Sequence, residues 1–413
     1  MQNEGDAASC ANGDPSVSRS EPADAIVVGL GAMGSAVTFQ LARRGLRVHG
    51  IDRFRPPHDR GSTHGDTRIT RIAIGEGAEY VPLVRRSHEL WREIELASGA
   101  ALLQQVGGLV IGDRDDPFLA KTRASASLYG VAHENLTERQ LAARFPMFAV
   151  PSGTEAYFEA GAGFVRPEAA VDAQLALARR AGAELRLGET VRSWVASADG
   201  VSVATDSDVL EARELVLCAG AWITQLLPES ASLFAVYPQL LHWFPVSRGY
   251  DALREMPIFI WEMGGDRDVF THLAGGFYGF PAIDGVSGGI KLATERYDEI
   301  VDPDRRVDAG AAAAAATAAA ELYRRYLVRY FPWVAPEPLR SVSCLYTNTR
   351  GSRFMIGRHP AHANVTVVAA CSGHGFKHSP AIGEAVAQLV VDGRSEVDLA
   401  PFALPSPLIS DAS

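Results

Sequence analysis

The chain has 413 residues, more than one ordinary hydrophobic core accommodates, so two domains are expected. Its 47% hydrophobic and 21% charged residues suit a soluble globular protein, and a net charge of −10 argues against nucleic acid or an anionic membrane as partner. No stretch approaches the roughly 20 consecutive apolar residues of a membrane span. Four widely spaced cysteines (Cys10, Cys218, Cys344 and Cys371) contain no CxxC pair, fit neither a disulfide framework nor a zinc site, and point to the reducing cytoplasm.

Residues 1–23, rich in Gly, Ala, Ser and Asp without an apolar h-region, read as a disordered leader rather than a secretory signal. An apolar strand over 25–28 then ends in Gly29-x-Gly31-x-x-Gly34, followed by a helical pattern over 35–44 and a second strand, 46–51, that stops at Asp52. Gly29 allows the tight turn, Gly31 lets backbone approach a pyrophosphate, and Gly34 permits helix-on-strand packing. The helix N-terminus offers free N–H groups to phosphate, and Asp52 stands where a ribose hydrogen-bonds. The pattern predicts dinucleotide binding, with NAD its default when read alone.

Next comes a polar loop, 61–71, where a simple NAD domain would enter another βα unit. Its Arg68 and Arg71 suit a reduced cofactor's negative charge or a substrate carboxylate; the bland alternative is a solvated basic loop. A helix is expected over 80–98, a strand over 106–111, a helix over 167–181, and strands over 184–187 and 201–205. A buried strand from 215 runs into a turn at Gly220, and 233–300 reads as an antiparallel sheet carrying Lys291. A lysine buried there is costly unless functional, although most strand lysines point outward. The Ala-rich helix over 308–330 is propensity, and Cys344, in an alternating stretch, reads by itself as a small core hydrophobe. A strand over 365–370, a Gly loop ending at Lys377 (an anion clamp or an exposed cation) and a helix over 380–392 close the chain. This return to strand–loop–helix implies a discontinuous first domain with the β-rich middle inserted.

Four stretches together carry a family resemblance: 26–34; 61–71 with Gly75-Glu-Gly and Glu79-Tyr-Val-Pro; Tyr278-Gly-Phe-Pro with Lys291; and Cys344-Leu-Tyr-Thr with Ser372-Gly-His-Gly-Phe-Lys. In this the chain resembles the monomeric sarcosine oxidase and N-methyltryptophan oxidase family, among the D-amino-acid-oxidase-like flavoproteins, from about 24 to about 402. The resemblance implies an α/β fold: a Rossmann-like (GR2-type) FAD-binding domain over 24–103, 156–236 and 351–403, and a substrate domain with a mostly antiparallel sheet over 104–155 and 237–350. It implies FAD rather than NAD, oxidation of the C–N bond of a secondary amino acid to an imine, O2 as acceptor with H2O2 released, no metal, and a monomer.

Residue by residue, Gly29, Gly31, Met33, Gly34 and Asp52 match positions that hold the ADP half, and Val191 a backbone contact on the adenine side. Ser62, His64, Thr67 and Arg68 match residues along the flavin ring, and Gly373, Gly375, Phe376 and Lys377 a cofactor-binding loop. Cys344 matches the cysteine that forms a thioether to the flavin 8α-carbon, so the resemblance reverses its bland reading. Arg71 and Lys377 match a clamp on the substrate carboxylate, while Tyr278 and Tyr346 match pocket aromatics. Lys291 matches the lysine that promotes reaction with oxygen, a fixed positive charge stabilising superoxide as it forms.

The departures lie around the pocket. Glu295 stands where family oxidases of simple N-methyl amino acids place a histidine, Arg350 and Arg353 occupy the stretch where the family usually has acidic residues, and Pro238 stands where an Arg is common. A carboxylate near the amine holds a cationic nitrogen more firmly than imidazole does, which brings a cyclic substrate such as pipecolate, or its partly oxidised imine, beside an N-methyl one. The competing readings are a flavin dehydrogenase that avoids O2, an NAD-dependent dehydrogenase, and a flavin-fold binding protein without activity.

Overall fold

A strand with apolar residues on both faces must be covered on both sides, and Ala23–Val28 is such a strand. In the computed structural model, which describes residues 22–264, 275–305, 311–406 and 408, it lies inside an eight-stranded sheet. Val48–Asp52 runs parallel along one side and Val209–Leu217 along the other, with Glu184–Leu187 parallel beyond Val48–Asp52. The far side of Val209–Leu217 is shared. Its first half pairs antiparallel with Gly200–Thr205, and its second half parallel with His362–Ala369. Val191–Ser197 and Met355–His359 complete the sheet. Strands from early and late in the described residues therefore share one sheet, and its five parallel strands finish at the same edge, the usual ligand edge of an open α/β sheet.

Helix Ala32–Ala42 is buried along almost its whole length, packed between Pro167–Arg180 and Ser379–Asp392. It begins three residues earlier than the apolar pattern indicates, so Gly34 lies in its first turn. A Cβ on Gly34 would sit 1.6 Å from the Gly29 carbonyl oxygen, so only glycine lets this helix start against the turn.

The second sheet runs in the order Arg340–Thr349, Phe234–Phe244, Ile290–Ala293, Gly276–Gly279, Ile258–Glu262, Gly108–Asp113, Thr154–Glu159, Glu134–Thr137. Every neighbouring pair is antiparallel except Ile258–Glu262 with Gly108–Asp113. Because side chains alternate, one face gathers Phe244, Phe259, Trp261, Phe277, Ile290 and Leu292 into a core beneath helix Ala311–Leu322 and the turns that follow it. The opposite face carries Leu241, Trp243, Tyr278, Lys291, Ala293, Cys344 and Tyr346. A small third sheet, Arg68–Thr70 with Gly163–Val165 and Leu103–Gln104, holds the polar loop between the two large ones.

Several expectations change in detail. Residues 154–159, divided by the domain boundary at 155/156, form one strand of the second sheet, and residues 234–236 also pair there. The Ala-rich helix becomes a single π turn at Tyr323–Leu327 before ending at Tyr330, and its expected start at 308 lies outside the described residues. The expected leader, apart from residues 22 and 23, and part of the antiparallel stretch, 265–274, also lie outside them. Two helices of seven residues or more went unread in sequence, Pro117–Tyr129 and Glu138–Arg144. Both carry start signals: Asp116 accepts from the Leu119 N–H with Pro117 behind it, and Thr137 with Gln140 forms a capping box.

Candidate active site

One continuous cavity runs from the C-terminal edge of the first sheet to the inner face of the second. At its first end stand Gly29, Gly31, Met33 and Asp52, with Val191 and Trp222 along the wall. The Asp52 carboxylate accepts from the Leu30 N–H at 2.7 Å and the Phe54 N–H at 2.8 Å. Burial nevertheless pushes its carboxyl above the ordinary value, as it does for a charge in a shielded site. Helix Ala32–Ala42 has Gly31 as N-cap with no side-chain cap of its own; the Ala32 N–H donates to Thr63 Oγ1 at 3.4 Å, and the N–H groups that follow it in the first turn make a ready phosphate site. The open turn, the helix start and the acid fit the ADP half of a dinucleotide.

The middle of the cavity is formed by the polar loop and the second sheet. Arg68 donates to the Ser62 carbonyl at 2.6 Å and the Thr67 carbonyl at 2.8 Å, which locks the loop into a fixed bend. The Lys291 side chain is buried, with Trp243 opposite it in the sheet register. Its Nζ donates to the Gly65 carbonyl at 2.7 Å, the Thr67 carbonyl at 2.9 Å and Thr67 Oγ1 at 3.1 Å, and it lies 4.5 Å above the Phe280 ring. Three oxygen acceptors suit an ammonium, since a neutral amine would aim a lone pair at one of them. Burial drives this group well below the ordinary lysine value, and Arg68 adds to the effect; Cys344, Asp66 and Glu168 oppose it. Cys344 is buried against Leu241, Trp243, Ala293 and Tyr346 yet lines the cavity, so it is at once a core residue and a cavity thiol.

At the far end Arg71 and Lys377 are both buried, which excludes the solvated-loop and exposed-cation readings for these two. Glu76 sits between them: Arg71 Nη2 donates to it at 2.6 Å, and Lys377 Nζ is 3.8 Å away. Lys377 also donates to the His374 carbonyl at 2.7 Å, and burial brings it down to about 8. Arg71 Nε is buried and makes no hydrogen bond to the described residues. Glu295 takes a hydrogen bond from the Tyr297 hydroxyl at 2.5 Å, and Tyr278 and Tyr346 lie beside it. Burial first, then the neighbouring charges of the site, raise both of these phenols above their ordinary value.

The cavity thus gathers nearly every residue singled out in sequence. Gly34 and His64 do not line it: Gly34 packs behind Gly29, and His64 is buried outside the lining. The lining residues that went unmarked as site residues include Glu76, Phe118, Ile260 and Glu262. Ile260 and Glu262 have the same strand parity as Tyr278 opposite, a signal visible only once the register is known.

Residues 24–389 match the family described as DAO, FAD dependent oxidoreductase. The chain belongs to this family. It is 39% identical over 376 residues to the monomeric sarcosine oxidase of Streptomyces avermitilis, covering 90% of this chain and 94% of the relative. It is 32% identical over 385 residues to the N-methyl-L-tryptophan oxidase of Salmonella dublin, covering 92% and 98%. Among solved structures, the open form of NikD, an unusual amino acid oxidase essential for nikkomycin biosynthesis, superposes with a TM-score of 0.79 at 27% identity over 93% of this chain and 98% of that one. The α/β architecture with its mixed and antiparallel sheets is that of such FAD-dependent amino acid oxidases.

Proposed function

We propose that this protein is an FAD-dependent oxidase of the sarcosine oxidase type, acting on the CH–NH bond of a secondary amino acid with O2 as acceptor. The observation that carries the reading is the second sheet's inner face, which sets Lys291, Cys344, Tyr278 and Tyr346 on a cavity that begins at a dinucleotide cradle. When bound, the flavin supplies the oxidant, taking two electrons from the C–N bond and passing them to oxygen as H2O2.

The protein's residues bind, orient and polarise. Gly29, Gly31, Met33, Asp52 and Val191 hold the ADP half; Ser62, Thr67, Arg68 and the loop of Gly373, Gly375 and Phe376 hold the flavin end. Cys344 Sγ is the proposed attachment point for the flavin 8α-carbon. Arg71 and Lys377 hold the substrate carboxylate, with Glu76 fixing the guanidinium in place. Lys291 provides the positive charge that oxygen meets, which disfavours the O2-avoiding dehydrogenase.

Glu295 faces the substrate nitrogen in this reading. A carboxylate beside two phenols holds a cationic secondary amine, and supports a cyclic substrate such as pipecolate, or its partly oxidised imine, alongside N-methyl amino acids. Cys218, Cys344 and Cys371 are all free thiols, which supports a reducing cytoplasmic setting, and the name of the sarcosine oxidase relatives supports a monomer. Peroxide release assayed with sarcosine, N-methyltryptophan, proline and pipecolate tests the substrate class. Turnover of none of the four would overturn it, and a colourless purified protein would overturn the cofactor.

A further inference from the structure

The Lys291 ammonium is held by acceptors from a turn that L-residues rarely form. Gly65 has φ +94° and Asp66 has φ +69°, two successive left-handed residues, the second with a side chain. Such a turn needs something to hold it, and the first turn of helix Pro167–Arg180 provides a half-buried carboxylate. Glu168 Oε1 accepts from the Gly65 N–H at 2.5 Å and from the Asp66 N–H at 3.2 Å. The Asp66 N–H and the Gly65 carbonyl belong to one peptide plane. Its N–H end is therefore held by Glu168 while its oxygen end meets Lys291 Nζ at 2.7 Å. Flipping that plane would turn an N–H toward the ammonium and remove one of its three acceptors. A carboxylate at one end of a peptide also polarises the carbonyl at the other, strengthening its hold on a cation.

We propose that Glu168 is the positioning residue of Lys291: by gripping the Gly65 and Asp66 N–H groups it aims the Gly65 carbonyl at the ammonium that oxygen meets. This rests on the reading of Lys291 given above. Glu168 touches neither substrate nor flavin in this scheme; it acts through the turn. Its removal weakens the oxidative half-reaction and leaves the reductive one in place, a split that general loosening of the fold does not produce.

The test uses purified holoenzyme carrying Glu168→Ala, Glu168→Gln or Glu168→Asp. Amide hydrogen exchange over 61–71 is read first, because it does not depend on turnover. Loss of charge-assisted bonds is expected to raise exchange of the Gly65 and Asp66 amides about tenfold or more in Glu168→Ala. In stopped flow, reoxidation of the reduced enzyme by O2 is expected to slow about tenfold, with anaerobic reduction by substrate within about threefold. Glu168→Gln keeps an acceptor oxygen without the charge and is expected to recover both readouts in part, nearer to the unaltered enzyme than Glu168→Ala. Glu168→Asp withdraws that oxygen by one methylene yet keeps the charge at the helix start; it is expected to behave like alanine, and carries the test if alanine does not fold. Unchanged amide exchange, or half-reactions that slow in parallel, would overturn the proposal. If Lys291→Met leaves reoxidation unchanged, the reading of Lys291 itself fails, while the exchange result still reports on Glu168 and the turn.

Discussion

Raising the pH above 8 removes one of the two cations that grip the substrate carboxylate. Lys377 is buried, and burial brings its ammonium down to about 8, with Arg71 adding to the shift and Glu76 and Glu295 opposing it. The group is thus protonated below that pH and neutral above it, well short of the ordinary lysine range. An ammonium about 4 Å from a carboxylate, at an effective dielectric near 20, contributes about 4 kcal/mol, or about three decades of affinity. A carboxylate ligand therefore binds with constant affinity below pH 8 and loses about tenfold per unit above it, roughly 100-fold by pH 10, because binding the anion requires the proton back. The ligand should carry no titrating nitrogen; a carboxylic acid with a thioether in place of the amine serves. Its dissociation constant is read from flavin absorbance on the holoenzyme between pH 6.5 and 10. An affinity constant within about threefold across this range would refute the reasoning. So would a break near pH 8 that survives Lys377→Met.

Cys344→Ala is expected to release the yellow colour into the supernatant on acid precipitation, whereas the unaltered protein keeps it in the pellet; colour retained by the variant would place the attachment elsewhere. Glu295→Gln removes a half-buried charge-assisted partner for the substrate nitrogen, and kcat/KM for the amine is expected to fall about 10- to 100-fold while binding of the thioether acid changes less than about threefold. An equal loss in both would remove Glu295 from the nitrogen. Gly34→Ala places a Cβ 1.6 Å from the Gly29 oxygen, so the helix must back away from the turn. The expected loss is about 1–3 kcal/mol of stability together with most of the bound flavin, read as melting temperature and flavin-to-protein ratio. Full occupancy with an unchanged melting temperature would contradict the close packing.

The dinucleotide cradle was legible because most of its determinants are local. A turn, a helix start and a second strand lie within 30 residues, and Gly34 answers to Gly29 in the same turn, although Gly29 itself also packs against the distant Cys218. The closing strand and helix were legible for the same reason, and so was the antiparallel character of the middle. The helices Pro117–Tyr129 and Glu138–Arg144 went unread although Asp116, and Thr137 with Gln140, mark their starts, because their apolar positions are too sparse to show a strong face.

By itself, the sequence determined the elements and the inventory of chemical groups: the glycine turn, Asp52, the cations Arg68, Arg71, Lys291 and Lys377, and the thiol of Cys344. Alternation along each strand even settles which residues share a face, since Lys291 must oppose Ile290 and Leu292. Only the tertiary structure decided which face becomes the core and which the cavity, because that depends on register between strands far apart in the chain, such as Gln239 opposite Cys344. It also decided which charges are buried and who accompanies them. Glu76 between Arg71 and Lys377, and Glu168 behind the turn that holds Lys291, are ordinary surface-type residues in sequence. Packing makes them consequential, because a charge withdrawn from water takes its energy from its few remaining neighbours.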